Sequence, residues 1–310
     1  MKAVFLDQAT FIDSISFDAI KNNVSTLELF SLTANEDIIS RCIDADIIIT
    51  NKVVLSREII AQLPQLKLIC VAATGTNNID IAAAKEHNIS VMNVAGYSTQ
   101  SVSQYVFAQL LEFYSQISTS NHTVAKGDWQ KSPTFCIHSD CFDELAGKTL
   151  GIVGYGDIGK KVAKIAHAFD MNVLIAERPN NTAIRDGRMP FNEVLKQADI
   201  ISLHCPHTPE TEQLFDQHAF AQMNNNAVLI NTARGAVVDN KALLEALNTK
   251  QIAGAILDVL DQEPPPADHI LLQAQPDNLK ITAHIAWASQ QAQQRLINLI
   301  AENINTFTKQ

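Results

Sequence analysis

Apolar, β-branched runs of about five residues alternate with longer segments of helical period along the whole chain, a pattern that predicts parallel sheets with helices on both faces. In the first third the predicted strands are Lys2–Leu6, Thr26–Phe30, Asp46–Thr50, Leu66–Ala72 and Ser90–Val94. Helix-like stretches such as Ser56–Gln62 and Ile81–His87 separate them, which describes one small doubly wound unit. Further on, the runs Thr149–Val153, Asn172–Ala176, Ile200–His204, Ala227–Asn231, Ala253–Leu257 and Leu279–Thr282 predict a second, larger one. Between the two, Ser98–Ile117 carries Val102, Val106, Leu110 and Phe113 on one helical face and reads as a helix crossing between domains. The last segment, Ala288–Thr308, has Ala292, Leu296, Leu299 and Ile300 at similar spacing and is expected to pack back on the first unit.

The length of 310 residues agrees with two domains, and 46% apolar against 18% charged residues excludes disorder. With 23 Lys and Arg against 33 Asp and Glu, a net charge of -10 and no basic run, neither a nucleic-acid nor an anionic-membrane partner is expected. The N-terminal MKAVFLDQATF lacks the apolar core of a signal peptide, and no apolar run is long enough to span a bilayer. Five cysteines, at 42, 70, 136, 141 and 205, form no Cys-x-x-Cys pair, so a reduced, cytoplasmic protein is expected. The stretch Cys136-Ile-His138-Ser-Asp140-Cys141 gathers metal-ligand types, but its spacing fits no usual zinc knuckle, and no metal is expected.

Strand Thr149–Val153 runs into Gly154-Tyr155-Gly156-Asp157-Ile158-Gly159 and then a helix-like stretch. Gly154 permits a tight turn, Gly156 lets the backbone approach a pyrophosphate, and Gly159 lets helix and strand pack closely. Free N–H groups at the helix start suit phosphates. The next strand ends at Glu177, where a carboxylate can accept from a ribose 2′-OH and repel a 2′-phosphate, which favours NAD over NADP. Arg178 beside it argues the other way, since an Arg there can pair with that phosphate.

Ligands of open parallel sheets bind beyond the carboxyl ends of the strands, which here carry Gly154, Glu177, His204 with Cys205, Arg234, Asp258 and His284. An Arg can hold a carboxylate with a bidentate fork, and a His beside a carboxylate can exchange a proton near neutrality. Arg234, His284 and the nearby Glu263 therefore suit chemistry on an anionic carbonyl compound. Each also has a structural reading: a turn-forming Arg, a packing His, an ordinary loop in Asp261-Gln-Glu263.

Together these residues resemble the D-isomer-specific 2-hydroxyacid dehydrogenase family. The elements are Ala73-Thr-Gly-Thr-Asn-Asn-Ile-Asp80, Tyr97-Ser-Thr-Gln-Ser-Val102, Gly151-Ile-Val-Gly-Tyr-Gly-Asp-Ile-Gly159, Leu203-His-Cys-Pro206, Asn231-Thr-Ala-Arg-Gly235, Leu257-Asp-Val259 with Glu263-Pro264, and Thr282-Ala-His-Ile-Ala-Trp-Ala-Ser289. The resemblance implies a flavodoxin-like substrate domain, residues 1–97 and 287–310, into which a Rossmann-type cofactor domain, residues 98–286, is inserted. It implies Arg234 as binder of the substrate carboxylate and carbonyl, His284 as general acid and base, and Glu263 as the group that holds the His and raises its pKa. It implies backbone N–H groups near Thr74 and Gly75 as a second grip on the carboxylate, with Trp287 narrowing the pocket. For the cofactor it implies Gly154, Gly156, Asp157, Ile158, Gly159, Glu177, Arg178, Cys205, Pro206, Thr232 and Asp258, the last near the nicotinamide amide.

Ala283 before the His, Gln104 and His207 depart from the family pattern, and none of them is a member of the triad. Gly127-Asp-Trp129-Gln-Lys-Ser132 and the Ala-Trp-Ala-Ser ending are most similar to the glycerate dehydrogenase, or hydroxypyruvate reductase, branch. The expected reaction is NAD-dependent reduction of a short 2-oxo acid, hydroxypyruvate or glyoxylate, to the D-2-hydroxy acid, in a homodimer. A D-lactate or broad 2-oxo acid reductase and an NAD-sensing, corepressor-like binding protein are the alternatives. Phosphohydroxypyruvate is disfavoured because no second Lys/Arg cluster awaits a phosphate.

Overall fold

The computed structural model describes residues 1–138, 142–179, 181 and 183–309, so Asp140 and Cys141 of the cysteine-rich stretch lie outside the described residues. The chain divides into two compact units, Met1–Ser98 with Trp287–Gln310, and Thr99–Ala286.

In the first unit, strands β1 (Lys2–Phe5), β2 (Thr26–Leu29), β3 (Ile47–Thr50), β4 (Leu68–Val71) and β5 (Ser90–Met92) form a parallel sheet in the order β2-β1-β3-β4-β5. Both faces of its central strands are covered, which is why they read as unbroken apolar runs rather than alternating ones. Ala3, Phe5, Ile47, Ile49, Leu68 and Cys70 point to one core, and Val4, Leu6, Ile48, Ile69 and Val71 to the other. The C-terminal helix Gln290–Thr308 closes the first core with Ala292, Leu296, Ile297, Ile300 and Ile304, as its spacing predicts. Ser289 caps it, its hydroxyl accepting the N–H of Ala292 at 3.3 Å.

In the second unit, β6 (Thr149–Val153), β7 (Asn172–Ile175), β8 (Ile200–Leu203), β9 (Val228–Asn231), β10 (Gly254–Leu257) and β11 (Leu279–Ile281) form a parallel sheet in the order β11-β10-β9-β8-β6-β7. A single bridge between Ala176 and Met189 continues the sheet beyond β7. Strand order therefore reverses at β6, which opens a crevice between the ends of β6 and β8. The helix Thr99–Ser115 buries Val102, Val106, Phe107, Leu110 and Tyr114; Phe113 of the expected stripe is only half-buried and packs at Gly254. Among the described residues no helix is long and apolar enough to cross a membrane.

Candidate active site

Strands β9, β10 and β11 are neighbours, so the residues after them emerge along one stretch of sheet edge: Arg234 after β9, Asp258 and Glu263 after β10, His284 after β11. His284 Nδ1 lies 2.6 Å from Glu263 Oε2, and the other Glu263 oxygen accepts the N–H of Leu260 at 3.0 Å. The carboxylate is thus fixed by its own loop and in turn fixes the ring. With Nδ1 engaged, Nε2 is the nitrogen available for a ligand. His284 sits at φ 52°, a left-handed conformation that costs energy for a residue with a Cβ and persists only where its surroundings hold it.

Asp258 supplies that hold. It is 2% exposed, and its carboxylate accepts the Thr282 hydroxyl at 2.8 Å and the N–H groups of Ile285 and Ala286 at 2.9 and 2.8 Å. Its carbonyl accepts the N–H of His284 at 2.8 Å. The side chain expected near a nicotinamide amide is here bonded into the loop that carries the histidine.

Asn231, at the buried end of β9, shapes the turn of Arg234: its side-chain oxygen accepts the Ala233 N–H at 3.0 Å and its amide donates to the Arg234 carbonyl at 2.9 Å. The Arg234 guanidinium donates to the Ala233 carbonyl at 2.6 Å. Gly235 follows because nothing larger fits: a Cβ there would lie 1.9 Å from the Leu260 carbonyl carbon. That close approach sets the Arg234 turn against the loop bearing Glu263. Asp239 caps the following helix, accepting the N–H groups of Lys241 and Ala242.

The glycine loop fits a dinucleotide. Gly154 has φ 95° and a Cβ on it would strike the His204–Cys205 backbone, whereas a Cβ on Gly159 would strike the Gly154 carbonyl at 2.3 Å. Above Gly156 there is open space, where a pyrophosphate can approach the first-turn N–H groups of Asp157, Ile158 and Gly159. A cavity of about 650 Å³ opens beside it, lined by Gly154, Gly156, Glu177, Arg178, Cys205 and Pro206 among others. Thr232 Oγ1 is buried with no hydrogen-bond partner among the described residues, a donor awaiting an acceptor. Burial pushes the Cys205 thiol up to about 11 and the His204 imidazole down to about 4, so both are neutral at pH 7.

Glu177 does not stand as its position in sequence suggests. Its side chain is fully buried, with Oε1 accepting the Arg178 N–H at 2.7 Å and Oε2 accepting the Arg185 N–H and Nε at 3.1 and 2.8 Å. Arg185 Nη2 also donates to Oε1, and this guanidinium holds the carboxyl well below the usual carboxylate range. All four acceptor positions of a carboxylate are occupied, so none is left for a ribose hydroxyl. The reason for expecting NAD at this position is thereby removed.

The Trp287 indole packs edge-to-face on Phe11 and Tyr97, with ring centroids 5.9 and 6.3 Å away, partly buried against the core of the first unit. Thr74 and Gly75 follow β4 in the same unit; among the described residues their N–H groups donate to no backbone carbonyl. His269, read as a packing residue, is buried and bonded to Asp261 at 2.8 Å. Among the described residues no metal-binding group of His, Cys, Asp and Glu occurs. The sequence pattern missed Asn231 and the structural part of Asp258, both polar residues at strand ends, and Arg185, which carries no local signal.

A parallel sheet with a glycine loop at its switch point and a carboxylate-held histidine beyond its neighbouring strands defines a dinucleotide-dependent oxidoreductase. Residues 107–286 match the pattern described as D-isomer specific 2-hydroxyacid dehydrogenase, NAD binding domain. A glycerate dehydrogenase of Methylorubrum extorquens is 39% identical over 306 residues, 99% of this chain and 96% of that protein. Among solved structures, an acyclic imino acid reductase in complex with NADPH and D-Arg superposes with a TM-score of 0.85 at 30% identity, covering 100% of this chain and 97% of that one. A D-lactate dehydrogenase from Aquifex aeolicus, complexed with NAD and lactic acid, gives 0.83 at 28% identity, covering 99% and 95%. The chain belongs to the D-isomer-specific 2-hydroxyacid dehydrogenase family, and it is a 2-hydroxyacid dehydrogenase using a nicotinamide cofactor.

Proposed function

We propose that the chain reduces a short 2-oxo acid, hydroxypyruvate or glyoxylate before pyruvate, to the D-2-hydroxy acid and catalyses the reverse oxidation. The observation that carries this reading is the 2.6 Å contact of His284 Nδ1 with Glu263, which leaves Nε2 for substrate. When bound, a reduced nicotinamide supplies hydride to the carbonyl carbon. Arg234 binds the substrate carboxylate and polarises the carbonyl. His284 Nε2 delivers the proton to the carbonyl oxygen. Glu263 keeps a proton on Nδ1 before and after that transfer, so the proton that moves is always the one on Nε2. The glycerate dehydrogenase named above acts on the compound whose C2 oxidation gives hydroxypyruvate, which supports this substrate class.

The test is steady-state reduction of hydroxypyruvate, glyoxylate, pyruvate, phenylpyruvate and phosphohydroxypyruvate side by side. Highest kcat/KM on one of the first two is expected. A preference for phenylpyruvate or the phosphorylated acid would overturn the small-substrate reading, and absence of turnover on all five would favour a dinucleotide-sensing protein. A cytoplasmic homodimer belongs to the same proposal. Support for the dimer comes from the exposed apolar side chains of Ile117, Val124, Trp129, Phe135 and Phe142; light scattering should give the mass of two chains, and the mass of one would overturn it.

A further inference from the structure

The acid that selects NAD in sheets of this type acts by accepting hydrogen bonds from the ribose and by its charge. In this chain Glu177 can do neither. Its oxygens are filled by Arg178 N–H, Arg185 N–H and the Arg185 guanidinium, it has no exposed surface, and its charge is matched by Arg185. The same cavity is lined by three arginines, Arg178, Arg185 and Arg188. Arg178 is exposed and Arg188 half-buried, and among the described residues neither forms an ion pair; the Arg188 guanidinium gives one long hydrogen bond, 3.4 Å, to the Ala176 carbonyl at the end of the strand. Glu210, the other carboxylate of the lining, is exposed and feels the charge of Arg178. The cavity thus presents two guanidinium groups outside any ion pair among the described residues, with the Glu210 carboxylate near them, beside an acid whose charge Arg185 matches.

We propose that this cavity takes a ribose 2′-phosphate, contacted by Arg178 and Arg188, so that NADPH is preferred to NADH. Guanidinium forks match phosphate oxygens, and a 2′-phosphate brings close to two negative charges to a rim with uncompensated positive charge. Arg185 serves a different purpose: it withdraws Glu177 from the rim and so removes the repulsion that excludes NADP elsewhere. The proposal rests on the reading of the chain as a nicotinamide-dependent dehydrogenase.

Binding to the intact protein tests it without turnover. Calorimetric titration with 2′,5′-ADP and 5′-AMP, and with NADP⁺ and NAD⁺, should show the phosphorylated member of each pair bound roughly 10-fold or more tightly, as expected for charge-assisted phosphate contacts. Arg178→Gln with Arg188→Gln should abolish that advantage while leaving 5′-AMP affinity unchanged, and each single variant should reduce it. Tight NAD⁺ binding with no gain from the 2′-phosphate, or an advantage that survives both substitutions, would overturn the inference and leave the dehydrogenase reading intact. No binding of any of the four ligands to the folded parent would overturn both.

Discussion

Asp258 grips the His284 loop at both ends of its own residue: its carbonyl accepts the His284 N–H at 2.8 Å, and its buried carboxylate accepts Ile285 and Ala286. The left-handed backbone of His284 is held from β10, the strand that also leads to Glu263. Asp258→Asn places an N–H₂ group where one of three donors now points. Each charge-assisted hydrogen bond is worth about 1.5–3 kcal/mol, so a fall in kcat of roughly 10- to 100-fold is expected, with dinucleotide affinity nearly unchanged. A variant whose main defect is a weaker dinucleotide Kd would return Asp258 to the cofactor.

Glu263→Gln keeps the shape of the contact but replaces the charged acceptor that holds the His284 ring by Nδ1 with a neutral amide. A charge-assisted hydrogen bond is worth about 1.5–3 kcal/mol, so kcat should fall roughly 10- to 100-fold while dinucleotide affinity stays nearly unchanged. His284→Ala should lower kcat roughly 100- to 10,000-fold with little effect on dinucleotide binding. A kcat in Glu263→Gln within about twofold of the parent, with normal substrate binding, would remove Glu263 from the mechanism.

Arg234→Lys replaces a planar fork with a point charge. Loss of about 2–3 kcal/mol corresponds to roughly 30- to 150-fold in kcat/KM. A variant within about twofold of the parent in the same assay, far inside that range, would sink the carboxylate assignment.

Gly235→Ala forces a methyl group into the Leu260 backbone, which lies 1.9 Å from where the Cβ would sit. Backbone cannot rotate away as a side chain can, so a loss of about 1–3 kcal/mol in denaturant unfolding is expected, and activity should fall because the Arg234 turn and the Glu263 loop separate. Unchanged stability would show that this approach relaxes freely.

Desolvation lowers the His204 imidazole from 6.5 to about 4. Between those values the unfolded chain binds a proton that the folded chain refuses, so stability should fall as pH drops through that window. The loss reaches up to about 3 kcal/mol below it. His204→Gln, retaining a partner for Ser202, should flatten this part of the urea-midpoint profile against pH. Equal slopes in parent and variant would place the acid sensitivity elsewhere.

Local pattern was sufficient for the two sheets, the glycine loop and the order of polar residues at strand ends. A strand buried on both faces must be continuously apolar, and a turn that admits no Cβ must be glycine, so each writes itself into a few adjacent residues. Arg234 and His284 stand just past recognisable strands, whereas Glu263 sits in a segment that reads locally as an ordinary loop and is singled out by the family resemblance. Tertiary structure alone decided what their neighbours do. A loop folds Arg185 back onto Glu177, the chain after β11 closes on the Asp258 carboxylate, and Trp287 takes its place against Phe11 and Tyr97. Those pairings depend on the path of loops, which non-local packing and the need to satisfy buried polar groups determine, and no periodicity in the sequence records that path.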